Sequence, residues 1–196
     1  YRRHDHGRLT RMMPLTLVFP YYDNHGMLVE QQRVWSAYQR NLRAFLSIIV
    51  VDDGSPKAPA VQVPRRGVRG LANYALYRID VDVRWNWLAC RNLGMFEAPT
   101  EWVLMTDIDH VVPGRTLRTL LEVPRDPQMV YRFSRVSMPD LSPYKPHPNS
   151  WLMTRTMFNA IGGYDERFSG YYGTDGEFKD RVRETAKAVV LLPDVL

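Results

Sequence analysis

The strongest constraint on this chain is the run Leu46-Ser47-Ile48-Ile49-Val50-Val51, which ends abruptly in Asp52-Asp53-Gly54-Ser55-Pro56. A nearly unbroken apolar, β-branched run makes a strand buried on both faces. Such a strand needs helices on both sides of its sheet, which is the condition of a parallel α/β fold. Leu15 to Phe19, closed by Pro20, is a second run of this kind. Further strands are predicted over 74–79, 101–106, 129–136, 151–153 and 188–192. Apolar side chains at 27, 28, 34, 35, 38, 42 and 45 recur at helical spacing and predict one helix over 27–45. Helices are also predicted over 86–97, 115–122, 155–161 and 177–187. Strands alternating with helices predict an α/β fold with a mostly parallel central sheet, and 196 residues favour a single domain.

Several classes are excluded. One cysteine, Cys90, allows no intrachain disulfide framework and no multi-cysteine zinc site. No apolar run of about 18 residues exists, so no transmembrane helix is expected. Residues 1–14 are basic and polar, without the apolar stretch of a signal peptide. They read as an extension or a cut end, and Leu196 can be a cut end too. A cytoplasmic protein, soluble or peripherally attached to a membrane, is the expectation. The net charge is +5 and mostly arginine, which suits an anionic ligand. No basic helix or aromatic-basic interleaving points to nucleic acid. Arg65, Arg66 and Arg69 fall in a segment rich in Pro, Gly and Arg (57–72); an anionic acceptor or a membrane surface is one reading of them, and a solvated loop is the plainer one.

In open α/β sheets ligands bind beyond the carboxyl ends of strands. Two carboxylate clusters fall at such ends, Asp52-Asp53 and Asp107-Ile108-Asp109. Each alone is an ordinary turn; two together suggest a site. If the strand before Asp107 continues, Asp107 and Asp109 face the same way, and His110 points away from them. Paired carboxylates repel unless a cation lies between them, and oxygen ligands suit Mg²⁺ or Mn²⁺. His147, among prolines, reads as a surface loop residue. Trp85, Trp87 and Trp151 are each weighed between sugar stacking and core packing, with core favoured for Trp87.

In this order the residues resemble the family 2 glycosyltransferases and related inverting enzymes of the GT-A (Rossmann-like) fold. The similarity rests on Phe19-Pro20-Tyr21-Tyr22, Val51-Asp52-Asp53-Gly54-Ser55, Ala89-Cys90-Arg91-Asn92-Leu93-Gly94, Thr106-Asp107-Ile108-Asp109 and Gly162-Gly163-Tyr164-Asp165-Glu166. Gly173-Thr174-Asp175-Gly176-Glu177 stands where that family carries its E-D pair.

The resemblance implies a nucleotide-binding half over about 15–110 and an acceptor and catalytic half over about 111–196. It implies transfer of a sugar from a nucleoside-diphosphate donor, UDP first, to a carbohydrate or other hydroxyl acceptor. Pro20 and Tyr21 would line the base and ribose pocket, Asp53 would bind the base and Asp52 support its turn. Arg91 and Asn92 would lie near the nucleotide. Asp107 would meet the ribose or a metal-bound water, and Asp109 would ligate the metal. Asp175 would be the catalytic base, with Glu177 the runner-up. Trp151, Tyr171 and Tyr172 are candidates for acceptor or sugar contact. Thr174 departs from the family's first carboxylate, and this leaves open a non-catalytic carbohydrate-binding module. Asp107-Ile108-Asp109-His110-Val111 also resembles the D-x-D nucleophile motif of haloacid-dehalogenase-type phosphatases, a weaker match because half of the chain precedes it.

Overall fold

A computed structural model describes residues 12–66 and 68–196. Every residue of β2 (Leu46–Asp52) is buried, as its composition requires. It pairs in parallel with β1 (Leu15–Tyr21) and with β3 (Asn73–Arg78). β4 (Trp102–Met105) continues in parallel beyond β1. β7 (Trp151–Thr154) then runs antiparallel to β4, and β5 (Met129–Val136) antiparallel to β7. β8 (Ala188–Val195) joins β5 in parallel, and the two-residue β6 (Pro143–Tyr144) pairs antiparallel with the end of β5. The sheet is therefore mostly parallel, with β7 reversed in its middle.

The period-2 alternation of the strands divides the core in two. Leu15, Leu17, Phe19, Leu46, Ile48, Val50 and Leu104 face one side. There they meet α1 (His25–Ala37), α2 (Arg40–Arg43) and α4 (Gly114–Glu122) through Leu28, Trp35, Leu42, Leu117 and Leu121. Val18, Ile49, Val51, Val103 and Met105 face the other side. There they meet α3 (Trp87–Glu97), α5 (Arg155–Ile161) and α6 (Asp175–Thr185) through Leu88, Met95, Phe158 and Phe178.

Two predicted helices differ in the structure. The one expected over 27–45 is broken at Tyr38, whose backbone is extended. The Tyr38 hydroxyl is drawn into the core and donates to the Val112 carbonyl at 2.5 Å, so a tertiary bond ends a helix that the apolar spacing alone would continue. The last helix starts at Asp175 rather than 177, so Asp175 is anchored in a first helical turn.

Register positions the site. Tyr21 is level with Asp52, Asp52 with Arg78, and Val18 with Met105. The segments that follow β1, β2, β3 and β4 therefore emerge side by side at one end of the sheet. α3 lies directly on β1 at Gly94, where a Cβ would come 2.3 Å from Val18 Cγ1. Gly94→Ala is expected to push α3 off the sheet and to destabilise the fold by about 1–3 kcal/mol, the usual cost of overpacking, as measured by chemical denaturation.

Candidate active site

The turn after β2 is held by Asp52, which is buried. Its carboxylate accepts from the backbone N–H groups of Ser55 (2.8 Å) and Ala60 (2.7 Å) and from Arg78 (3.0 Å). Both of its oxygens are engaged in shaping the turn. Gly54 has φ +69°, and a Cβ there would lie 2.7 Å from the Val81 carbonyl, so glycine lets this turn touch the loop after β3. Asp53 is thereby aimed into a cavity of about 1010 Å³ at the carboxyl end of the sheet. Burial pushes its carboxyl up to about 6, against donors from Asn86 and Cys90. Its Oδ1 has no donor among the described residues.

The Asp107–His110 segment is a turn, closed by His110 N–H donating to the Asp107 carbonyl at 3.0 Å. β4 stops at Met105, so the expected strand alternation does not extend to these residues. Both carboxylates nonetheless line the same cavity. Buried groups hold the turn from two sides. Gln31 of α1 donates to the carbonyls of Ile108 (2.9 Å) and His110 (2.7 Å). Arg91 of α3, without solvent exposure, donates to Asp107 Oδ1 and to the Asn149 carbonyl, the latter at 2.6 Å. The second oxygen of Asp107 lies 3.2 Å from His147 Nε2.

His147 is therefore part of the cavity wall, a correction to its expected place in a surface loop. Burial pushes its imidazole down to about 4, so near neutrality it is uncharged. Its Nδ1 accepts from Asn149 N–H at 3.3 Å, which leaves the proton on Nε2, facing Asp107. His110 lies edge-on against it at 4.4 Å, and burial lowers its pKa too. The Nε2 of His110 faces the Arg135 guanidinium at 3.1 Å, and its Nδ1 faces Thr106 and Ser150 hydroxyls. With both ring nitrogens engaged, His110 makes no metal ligand.

From the second half of the chain, Asp175 lines the same cavity. Its helix is braced through Tyr164, whose ring stacks on Phe178 at 3.9 Å. The Tyr164 backbone is clasped by the Asn92 side chain, which accepts from its N–H (2.8 Å) and donates to its carbonyl (2.8 Å). Asn92 also donates to Glu166 at 2.7 Å. Glu177 is taken up by Arg181 and is not in the cavity wall.

The structure thus brings Pro20, Asp53, Asp107, Asp109, Asp175 and Tyr172 to one cavity. Seven other predicted residues are outside its wall: Asp52, Arg91 and Glu177, placed above, and Tyr21, Asn92, Trp151 and Tyr171. Tyr21 points into the core and donates to the Ala58 carbonyl at 2.5 Å, because strand alternation sends Tyr22 to the cavity instead. Trp151 is a core residue of β7, edge-on to Phe178 and under the Arg132 guanidinium, outside the cavity wall. Tyr171 is exposed outside the cavity wall, and Asn92 acts on the loop before α6. Of the tryptophans weighed above, both Trp85 and Trp87 border the cavity. The exposed Trp85, held at φ +57°, meets Tyr172 at 5.1 Å across the rim. Beyond His147, sequence reasoning missed Tyr22, Asp82 and Arg84 in the wall. The signal for Tyr22 was available in the alternation; the loop after β3 carries none.

Among the described residues no three His, Cys, Asp or Glu side chains converge on a metal-binding point. Asp107 is committed to Arg91 and His147, whereas Asp109 is exposed in the cavity. One free carboxylate fits a hard cation that takes its other ligands from a diphosphate and water.

No family model and no curated protein matches the sequence. Among solved structures the chain is similar to S. aureus TarS. The TarS 1–349 crystal structure has a TM-score of 0.67 at 15% identity, over 93% of this chain and 58% of that one. The same fragment in complex with UDP gives 0.69 at 14% identity over the same shares, and in complex with UDP-GlcNAc 0.67 at 13%, over 93% and 56%. The chain spans little more than half of that fragment and 35% of the longer TarS structure. At such identities the likeness shows the fold, a single-domain α/β arrangement of GT-A type with a mostly parallel sheet flanked by helices.

Two outcomes follow from the electrostatics. Asp107→Ala strands a buried guanidinium, so it is expected to cost about 3–5 kcal/mol in denaturant unfolding, more than Arg91→Met, which leaves only a part-exposed carboxylate. Asp53 has a higher pKa folded than unfolded, so its contribution is intact below about pH 4 and lost as pH rises through about 6. Asp53→Asn should therefore stabilise the protein by about 2 kcal/mol at pH 8 and not at pH 4, read from melting curves at both.

Proposed function

We propose that this chain is the catalytic domain of an inverting glycosyltransferase that moves a sugar from a nucleoside-diphosphate donor, UDP foremost, to an acceptor hydroxyl. The observation that carries this reading is the convergence of Asp53, Asp109 and Asp175, from segments far apart in the chain, on one cavity at the carboxyl end of the sheet. The complexes of the structurally similar TarS with UDP and UDP-GlcNAc agree with it.

The chemistry follows from the residues. Asp53, in the cavity wall, offers its carboxylate to a base N–H. Pro20, Tyr22 and Trp85 give apolar surface for base and ribose, and Arg84 brings a cation to the same wall. Asp109, together with the donor's diphosphate, would hold Mn²⁺ or Mg²⁺. Such an ion, when bound, neutralises charge growing on the departing phosphate. Asp175 takes the acceptor's hydroxyl proton as that oxygen bonds to the anomeric carbon and the carbon–phosphate-oxygen bond breaks. An alkoxide is too basic to form first, so proton transfer accompanies attack. Attack opposite the leaving group inverts the anomeric carbon. Tyr172, at the rim beside Asp175, is placed to meet the incoming sugar.

The phosphatase reading is the weaker one, because Asp107, its nucleophile, is already paired with Arg91 and His147. A non-catalytic module would keep the cavity without needing Asp175 in it.

Calorimetry with UDP, GDP, CDP and CMP, with Mn²⁺ and with EDTA, tests the proposal. UDP is expected to bind best with Mn²⁺, and Asp109→Ala to abolish the metal-dependent part. Asp175→Asn should keep nucleotide affinity and lose roughly 100-fold or more in release of UDP from UDP-sugars. Absence of binding by the folded protein to all four nucleotides would reject the assignment.

A further inference from the structure

The chain's positive charge is not evenly spread. Between residues 31 and 79 there are eight Arg and Lys residues against two acids, Asp52 and Asp53, both buried. The remainder of the chain is close to neutral. Five of these arginines gather at the end of the sheet opposite the cavity. Arg40 and Arg43 lie three apart on α2, on one face of its single turn. Arg43 donates to the Arg69 carbonyl at 2.8 Å, and its backbone carbonyl receives Ala72 N–H at the entry to β3. The Arg65 guanidinium lies 5.8 Å from the Tyr74 ring centroid, on the second residue of β3. Arg66 N–H reaches Gln32 of α1 at 2.8 Å. No carboxylate of the described residues pairs with any of the five.

Gathering like charges without carboxylates raises the free energy of the folded chain, and an anionic surface relieves it. We infer that this face docks the protein on an anionic lipid bilayer. The arginines stand on a four-residue helix and a loop, neither of which is shaped to enter a duplex groove. Tyr74, the ring among them, is covered by Arg65 and tilted against Trp35, so no base can stack on it. Clusters of four to eight basic residues are what anionic bilayers attract. The patch and the cavity lie at opposite ends of β2, about 20 Å apart at the usual rise of a strand, so a docked protein keeps its cavity open to solution. This inference stands whether or not the transferase reading does.

Sedimentation with vesicles tests it, using phosphatidylcholine alone and phosphatidylcholine with phosphatidylglycerol. The protein should bind the anionic vesicles only, and less as salt rises. The triple variant Arg65→Glu/Arg66→Glu/Arg69→Glu should lose roughly 100-fold or more in partitioning, from the attraction each basic residue has for an anionic surface. Its circular dichroism should be unchanged. Lys57→Glu/Arg167→Glu, on exposed sites at the cavity end of the sheet, lowers net charge away from this face and should bind as the parent does. Three results would overturn the inference: no binding of the parent to anionic vesicles, equal loss in both variants, or tighter binding to duplex DNA that the same triple variant removes.

Discussion

A guanidinium with no solvent exposure, Arg91, lies beneath the cavity floor and must have its charge matched there. Asp107 and the Asn149 carbonyl do this. The pairing joins three distant parts of the chain: α3, the turn after β4 and the segment leading into β7. It also decides which carboxylate is available for chemistry. Asp107 is consumed by Arg91 and His147, and Asp109 is left exposed in the cavity. The turn is held from the opposite layer by Gln31, so both helical layers fix the same four residues.

The other side of the cavity rests on a similar economy. Asp52 commits both carboxylate oxygens to the turn after β2, and its neighbour Asp53 is buried with one oxygen unmatched. The Asp52 contacts hold the turn, whereas the Asp53 burial works against the fold. Trp85 in a left-handed conformation adds strain at the same rim. Unfavourable features concentrated in one cavity are those expected where a ligand supplies the missing interactions. Asp175 reaches the cavity from a helix whose placement depends on the Tyr164–Phe178 stack and on Asn92, so the two halves of the site are coupled through side chains outside the cavity wall.

Much of this was legible in the residues, and the failures have physical causes. The strand ends carrying Asp53 and Asp107 were readable because unbroken β-branched runs leave few alternatives. The helix over 27–45 was misread because spacing does not register the Tyr38–Val112 bond. Trp151 was misplaced because β7 inserts, antiparallel, between β4 and β5 and is buried on both faces. His147 was missed because a proline-rich segment reads as exposed until a buried arginine is seen to pull it inward.

Local pattern determined the alternation of strands and helices, the parallel character of the sheet and the carboxylates at its ends, since hydrophobic periodicity and turn chemistry act over a few residues. Tertiary structure alone decided which of those carboxylates are free. That depends on partners such as Arg91, His147 and Arg181, which lie close in the fold whatever their distance along the chain, and on the low dielectric around them.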